Sequence, residues 1–170
     1  MLLGLALLYV GAVLFLNGLW LLGKMDDKEI VVINVASGIV TMSVSAYLAF
    51  NGGADLASVR GAALTLLFTT TYFWVAYNRY AKVDGRGLGW FSLFVAITCV
   101  PVAVRGLGTA HSVADTWLGM CWIGWGVLWF MFFLLLALKK PILNVTGLAS
   151  VAAGILTGWL PGFLLLDGRM

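Results

Sequence analysis

Charge is scarce in this sequence. Only 10% of its 170 residues are Asp, Glu, Lys or Arg and 62% are hydrophobic, against about a quarter charged in an ordinary soluble domain. With a mean hydropathy of +1.04, the chain could not furnish a globule with a polar surface, and it reads as an all-α polytopic membrane protein. Cysteine is nearly absent: Cys99 and Cys121 each lie in an apolar run, in neither a CxxC nor a Cys/His cluster, which leaves a disulfide or metal framework unsupported. No carboxylate or histidine lies deep in an apolar run; Arg60, Arg79, Arg105 and Asp115 all sit near run ends. A charged group at the bilayer centre costs at least about 2.5 kcal/mol and normally marks a relay or ion site, so a proton- or sodium-coupled pump has no evident machinery here. HExxH, Ser/His and paired-carboxylate patterns are missing too, and Gly85-Arg-Gly-Leu-Gly89 reads as a turn instead of a nucleotide loop. Neither an enzyme nor a cofactor is expected. The basic excess of +3 is scattered singly, unlike the stripe or tail that binds nucleic acid.

What the chain has is long apolar runs. A helical span needs roughly 20 apolar residues, and runs between charge and turn clusters give six spans, at about 2–22, 30–50, 56–78, 88–106, 115–138 and 143–166. They form a single transmembrane domain over 1–170, and short loops leave no room for a soluble one. The first run has no basic n-region and no small-x-small cleavage site, so it is read as a retained span and not a signal peptide. Seven Lys and Arg lie in the connections after spans 1, 3 and 5, against three on the other side. The positive-inside bias then places those connections in the cytoplasm and both termini outside a cytoplasmic (inner) membrane. Lys24-Met25-Asp26, Lys82-Val83-Asp84 and Lys140-Pro141 recur every 58 residues, which suggests three helical hairpins; evenly sized spans would give the same spacing.

Neutral polar residues punctuate the spans: Asn17, Asn34, Ser37, Thr41, Ser45, Thr69, Thr71, Asn78, Thr146, Ser150 and Thr157 among them. Most are expected to hydrogen-bond between helices, with Asn17 and Asn34 facing the bundle interior. In span 6, Ser150, Gly154, Gly158 and Gly162 form a four-residue ridge on which another helix can sit closely. Pro101 and Pro161 are expected to bend spans 4 and 6. In span 5, Leu118, Trp122, Trp125 and Trp129 share one helical face. Two of these tryptophans fall mid-membrane, away from the interface that Trp favours. The stripe is either packing or the wall of a pore.

Four ordered motifs in four spans then bear on that choice. Tyr9-Val-Gly followed by Asn17-Gly18, Ser92-Leu-Phe-Val-Ala-Ile with Val100-Pro101, Trp125-Gly-Val-Leu-Trp129, and Gly154-Ile-Leu-Thr-x-Trp159-x-Pro161 resemble the UreI/AmiS family of urea channels and short-chain amide transporters. The resemblance runs along nearly the whole chain. It implies six helices in three hairpins around a pore in each protomer, a homohexamer with a lipid-plugged centre, and external termini. It further implies a pore lined by Leu3, Leu7 and Leu14, by Phe68 and Tyr72, and by Trp122, Trp125 and Trp129, with Leu118 on the same stripe and Thr71 nearby. Such a tube of aromatic and Leu side chains strips water from a solute, which a small neutral planar amide tolerates far better than an ion. Indole faces can stack on the amide while indole N–H, Tyr72 and Thr71 replace some of its lost hydrogen bonds.

Acid-gated members of that family carry a long external loop after span 2 with several histidines and acidic residues. Here about five residues, Asn51 to Asp55, join spans 2 and 3, the one histidine is His111 in the loop after span 4, and Ala153 stands where those members have a glutamate. The expectation is an ungated passive channel for urea or small neutral aliphatic amides, surrounded by membrane lipid and feeding a cytoplasmic urease or amidase. A coupled amide transporter and a structural membrane subunit without transport activity are the alternatives.

Overall fold

The computed structural model describes all residues, Met1–Met170. It contains six helices and no strand: α1 (Leu2–Leu21), α2 (Ile30–Phe50), α3 (Leu56–Ala81), α4 (Arg86–Gly108), α5 (Val113–Leu136) and α6 (Leu143–Leu166). Helix is the expected solution, because a chain crossing lipid has to satisfy its own backbone within each segment. Five of the six, all but α3, are long and apolar enough to span a bilayer. At 26 residues α3 is the longest, but Arg60, Arg79 and a run of threonines make it the least apolar. It starts on a capping box, in which the Ser58 backbone N–H donates to the Asp55 carboxylate and the Asp55 N–H donates to the Ser58 hydroxyl oxygen; the bonds from Ser58 hold the Asp55 carboxyl below the usual carboxylate range. It stops where Lys82 adopts a left-handed conformation at φ 53°.

The hydroxyl groups settle differently from the sequence expectation. Thr41, Ser45, Thr65, Ser92, Thr98 and Thr146 each donate to the carbonyl one turn back in their own helix. A helical Ser or Thr reaches that carbonyl without help from a neighbour, so only a few polar residues are left to join helices. Thr69 donates to Thr41 at 2.7 Å and Ser37 to the Tyr9 carbonyl at 3.2 Å.

The glycines arrange the bundle. Gly4, Gly11 and Gly18, two turns apart along α1, lie against Gly147, Gly154, Gly158 and Gly162 of α6. A Cβ added at Gly11 would meet the Trp159 nitrogen at 2.2 Å, and one at Gly158 would meet the Gly11 Cα at 2.3 Å. The first and last helices therefore touch backbone to backbone, and α1 is the helix that fills the small-residue ridge. The other close pairs are α2 with α3 and α4 with α5, whereas the pairs joined by the basic connections touch more loosely. Positions 58 residues apart in the even helices share the same burial: Asn34, Ser92 and Ser150 are all 0–1% exposed, as are Ile30 and Thr146, with Leu88 at 4%.

The two prolines are absorbed unequally. Helix α4 runs through Pro101 without a break, whereas α6 widens into a π-helical turn over Gly154–Trp159 just before Pro161. In an i→i−5 pattern Pro161 would have bonded the Leu156 carbonyl, but it has no N–H to give. That carbonyl instead accepts from the Trp117 indole of α5 at 3.0 Å.

Replacing Gly158 by Val should disrupt the α1–α6 seam and lower the apparent Tm in detergent by about 10 °C or more, because overpacking against a backbone cannot relax by a rotamer change. Gly61→Val, at a position with open space around it, should leave Tm within about 2 °C of the parent. Fluorescence-detected size exclusion after heating reads both.

Candidate functional site

With α1 seamed to α6, one face of each odd helix meets in the interior. Leu7, Val10, Val13 and Leu14 of α1, Phe68 and Tyr72 of α3, and Trp125, Leu128 and Trp129 of α5 are all buried in one cluster. Phe68 sits at its centre, with its ring edge-on to Trp122 (5.9 Å between centroids), Trp125 (4.9 Å) and Trp129 (4.6 Å) at about 80°. Trp122 and Trp125 also meet edge to face at 5.0 Å. Edge-to-face pairs of this kind are each worth about 0.5–1.5 kcal/mol beyond area burial, so the four rings form a plug that holds itself in shape.

Each buried indole N–H has a fixed destination. Trp125 donates to the Thr157 hydroxyl at 2.8 Å, and the Thr157 O–H donates in turn to the Ala153 carbonyl. Trp129 reaches the Thr71 hydroxyl at 3.4 Å. Asn17 and Asn34 exchange reciprocal amide bonds at 3.3 and 2.7 Å, and Asn34 also donates to the Ile30 carbonyl at 2.9 Å. That pair fixes α1 against α2 and uses the amides that would otherwise be costly in lipid.

Beside the ring cluster, toward the basic connections, lies a partly enclosed cavity of about 30 Å³, room for on the order of one or two waters. Leu14, Asn17, Trp20, Thr71, Tyr72, Ser92 and Trp129 line it, together with Val75, Leu88, Leu128 and Phe132. Its wall is apolar except for a few oxygens and amides, and no formal charge enters it. The Tyr72 hydroxyl is fully buried with no partner in the protein. A buried hydroxyl without a bond is costly, which makes it a group free to meet a polar guest.

Leu7, Leu14, Phe68, Tyr72, Trp125 and Trp129 come together in the cluster, Trp122 and Leu118 pack half-buried against it, and Thr71 lines the cavity. Leu3 does not join them; it is 50% exposed at the start of α1. Trp20, Val75, Leu88, Leu128 and Phe132 were not foreseen as lining residues. One signal was available: Leu14, Asn17 and Trp20 follow at three-residue spacing on one face of α1. His111 is exposed, and its backbone N–H donates to Asp115 at 3.2 Å. Cys99 and Cys121 are buried and free, and no group of His, Cys, Asp or Glu is arranged to hold a metal.

A multi-pass helical bundle with an uncharged aromatic interior and a small buried cavity defines a membrane protein of the channel and transporter class. A family model described as AmiS/UreI family transporter matches residues 2–169. A Mycolicibacterium smegmatis protein, provisionally named an amidate substrates transporter, is 41% identical over 167 residues, covering 98% of this chain and 77% of its own. The acid-activated urea channel of Helicobacter pylori is 37% identical over 188 aligned positions, covering 96% of each chain. Its cryoEM structure in a closed state superposes with a TM-score of 0.87 over 99% of both chains. The chain belongs to the AmiS/UreI family.

Asn17→Leu should lower unfolding stability by about 1–3 kcal/mol, because it strips Asn34 of its interhelical partner and leaves a buried amide short of bonds. Replacing both asparagines with Leu should cost less than the two single losses combined. Steric-trap unfolding in bicelles measures the cycle.

Proposed function

We propose that the protein is a passive channel for urea or small neutral aliphatic amides. The observation that carries this reading is the interior itself: a self-supporting ring of Phe68, Trp122, Trp125 and Trp129 above a cavity with the unpartnered Tyr72 hydroxyl. An ion would lose its hydration there with nothing charged to replace it, at a cost of many kcal/mol. A planar amide can slide between aromatic faces and exchange hydrogen bonds with Tyr72, Thr71 and the indoles. On this reading Leu7, Leu14, Phe68, Thr71, Tyr72, Leu118, Trp122, Trp125 and Trp129 line the path, with Leu3 at its outer rim. Phe68 lies against all three indoles, at 4.6–5.9 Å between centroids, so passage requires the rings to give way briefly. The names of the relatives, a urea channel and an amidate transporter, support this substrate class.

The absence of carboxylates, imidazoles and basic groups from the buried interior favours passive flow over ion coupling. Seven basic residues on the connections after α1, α3 and α5, against three opposite, favour external termini in a cytoplasmic membrane. A homohexamer accords with the exposed apolar faces of Phe94, Ile97, Val100 and Val104 on α4. Its cargo would be consumed by a cytoplasmic urease or amidase that keeps the gradient inward.

The channel is not acid-gated on this reading, although its H. pylori relative is named acid-activated. The α2–α3 connection is Asn51–Asp55, and the alignment spans 188 positions where this chain has 170 residues, so that relative carries residues this chain lacks. One exposed imidazole, His111, is a poor basis for a switch.

Proteoliposomes should show urea and acetamide permeation by stopped-flow light scattering, well above protein-free vesicles. Trp129→Ala should raise the propionamide-to-urea flux ratio by about threefold or more while the protein elutes unchanged on size exclusion, since pore width sets selectivity. An unchanged ratio would remove Trp129 from the path. Urea flux should vary by less than about twofold between external pH 5 and 7.5, the interval in which an ordinary histidine changes charge.

A further inference from the structure

Trp20 lines the cavity from the last turn of α1, at the end of the bundle where the basic connections lie, and this indole is held by groups outside the membrane core. Its Nε1–H donates to Asp27 Oδ1 at 2.8 Å. The Arg79 guanidinium lies over its ring at 5.1 Å from the centroid. Arg79 also pairs with the second carboxylate oxygen of Asp27 at 3.7 Å. Three segments therefore meet on one side chain: α1 supplies the indole, the α1–α2 connection the carboxylate, and α3 the guanidinium. Asp27 divides its two oxygens between the other two groups, so each contact fixes the geometry of the next.

From this arrangement we infer that Trp20 is the size-determining residue at the inner mouth, and that Asp27 and Arg79 are its positioning residues. The inference rests on the channel reading above and adds to it a second filter, separate from the ring cluster around Phe68. A solute leaving the cavity toward the basic end has to pass the indole. A tryptophan has two rotatable side-chain bonds and would sample several rotamers on the ps–ns scale if it were free. Anchored at its N–H by a carboxylate and across its face by a cation, it keeps one pose over the mouth. The mouth then admits molecules of urea or acetamide size and slows longer amides. Loss of either anchor releases the same indole, so the two anchors act through one element.

The test is flux of urea and butyramide into proteoliposomes of the full chain and its variants. Trp20→Ala should raise the butyramide-to-urea ratio about fivefold or more, and Asp27→Ala and Arg79→Gln about twofold or more each. The Asp27→Ala/Arg79→Gln double variant should exceed neither single change by much, and Asp27→Ala should add nothing in a Trp20→Ala background. Asp27 is exposed and at a connection, so its variant reports even where Trp20→Ala assembles poorly, and Trp20→Phe supplies an intermediate ratio without the indole N–H. An unchanged ratio in well-assembled Trp20→Ala, or an Asp27→Ala effect that persists without Trp20, overturns the inference and leaves the channel reading standing. A parent protein that passes neither solute overturns both.

Discussion

The contact between Gly11 and Gly158 is the constraint on which the rest of this molecule depends. Lipid offers helices no hydrophobic drive to associate, so close packing has to come from shape. Here α1 and α6 approach until a single added Cβ at either glycine would overlap backbone atoms. The seam joins the first helix to the last and closes the bundle on itself. It also sets the rotation of α1, and with it the inward positions of Leu7, Leu14 and Asn17. The π-helical turn at Gly154–Trp159 lies in the same stretch of α6. The carbonyl that Pro161 leaves free there goes to Trp117, and Thr157 within the turn receives the Trp125 indole. Seam, π turn and aromatic interior are therefore mechanically one unit.

The interior combines rigidity with neutrality. The Trp125 and Trp129 indoles are tied to hydroxyls of neighbouring helices, and Phe68 is wedged edge-on among these two and Trp122. Nothing charged faces inward; the ionised groups gather at the ends, as in the Asp27, Arg79 and Trp20 cluster. That separation suits a neutral guest in the middle and electrostatic anchoring at the rim, where water screens and solvates the charges.

Much of this was legible in the sequence because lipid imposes a coarse and regular demand. Apolar runs of span length gave all six helices to within a few residues, except that α3 continues to Ala81, past the span's expected end, because its last turn projects beyond the apolar segment. The tryptophan stripe of α5 was visible from spacing alone. Its meaning was not: three- and four-residue spacing defines a face and leaves open what that face meets. The small-residue ridge of α6 showed that some helix would lie on it, without naming α1. The hydroxyls depart from the interhelical expectation for a similar reason, since a sequence does not reveal that a Thr will find its own backbone first.

Residue order, then, determined by itself that this chain lives in a membrane, that it spans as helices and that its few charges lie at their ends, because each of these follows from the free energy of single residues in lipid. The tertiary structure decided which faces meet. That Trp20 and Trp129 line one cavity, and that the Trp20 indole is shared between Asp27 and Arg79, depends on distances between segments far apart in the chain. Those distances are set by the backbone seam and the ring packing, collective contacts that no single residue's preference encodes.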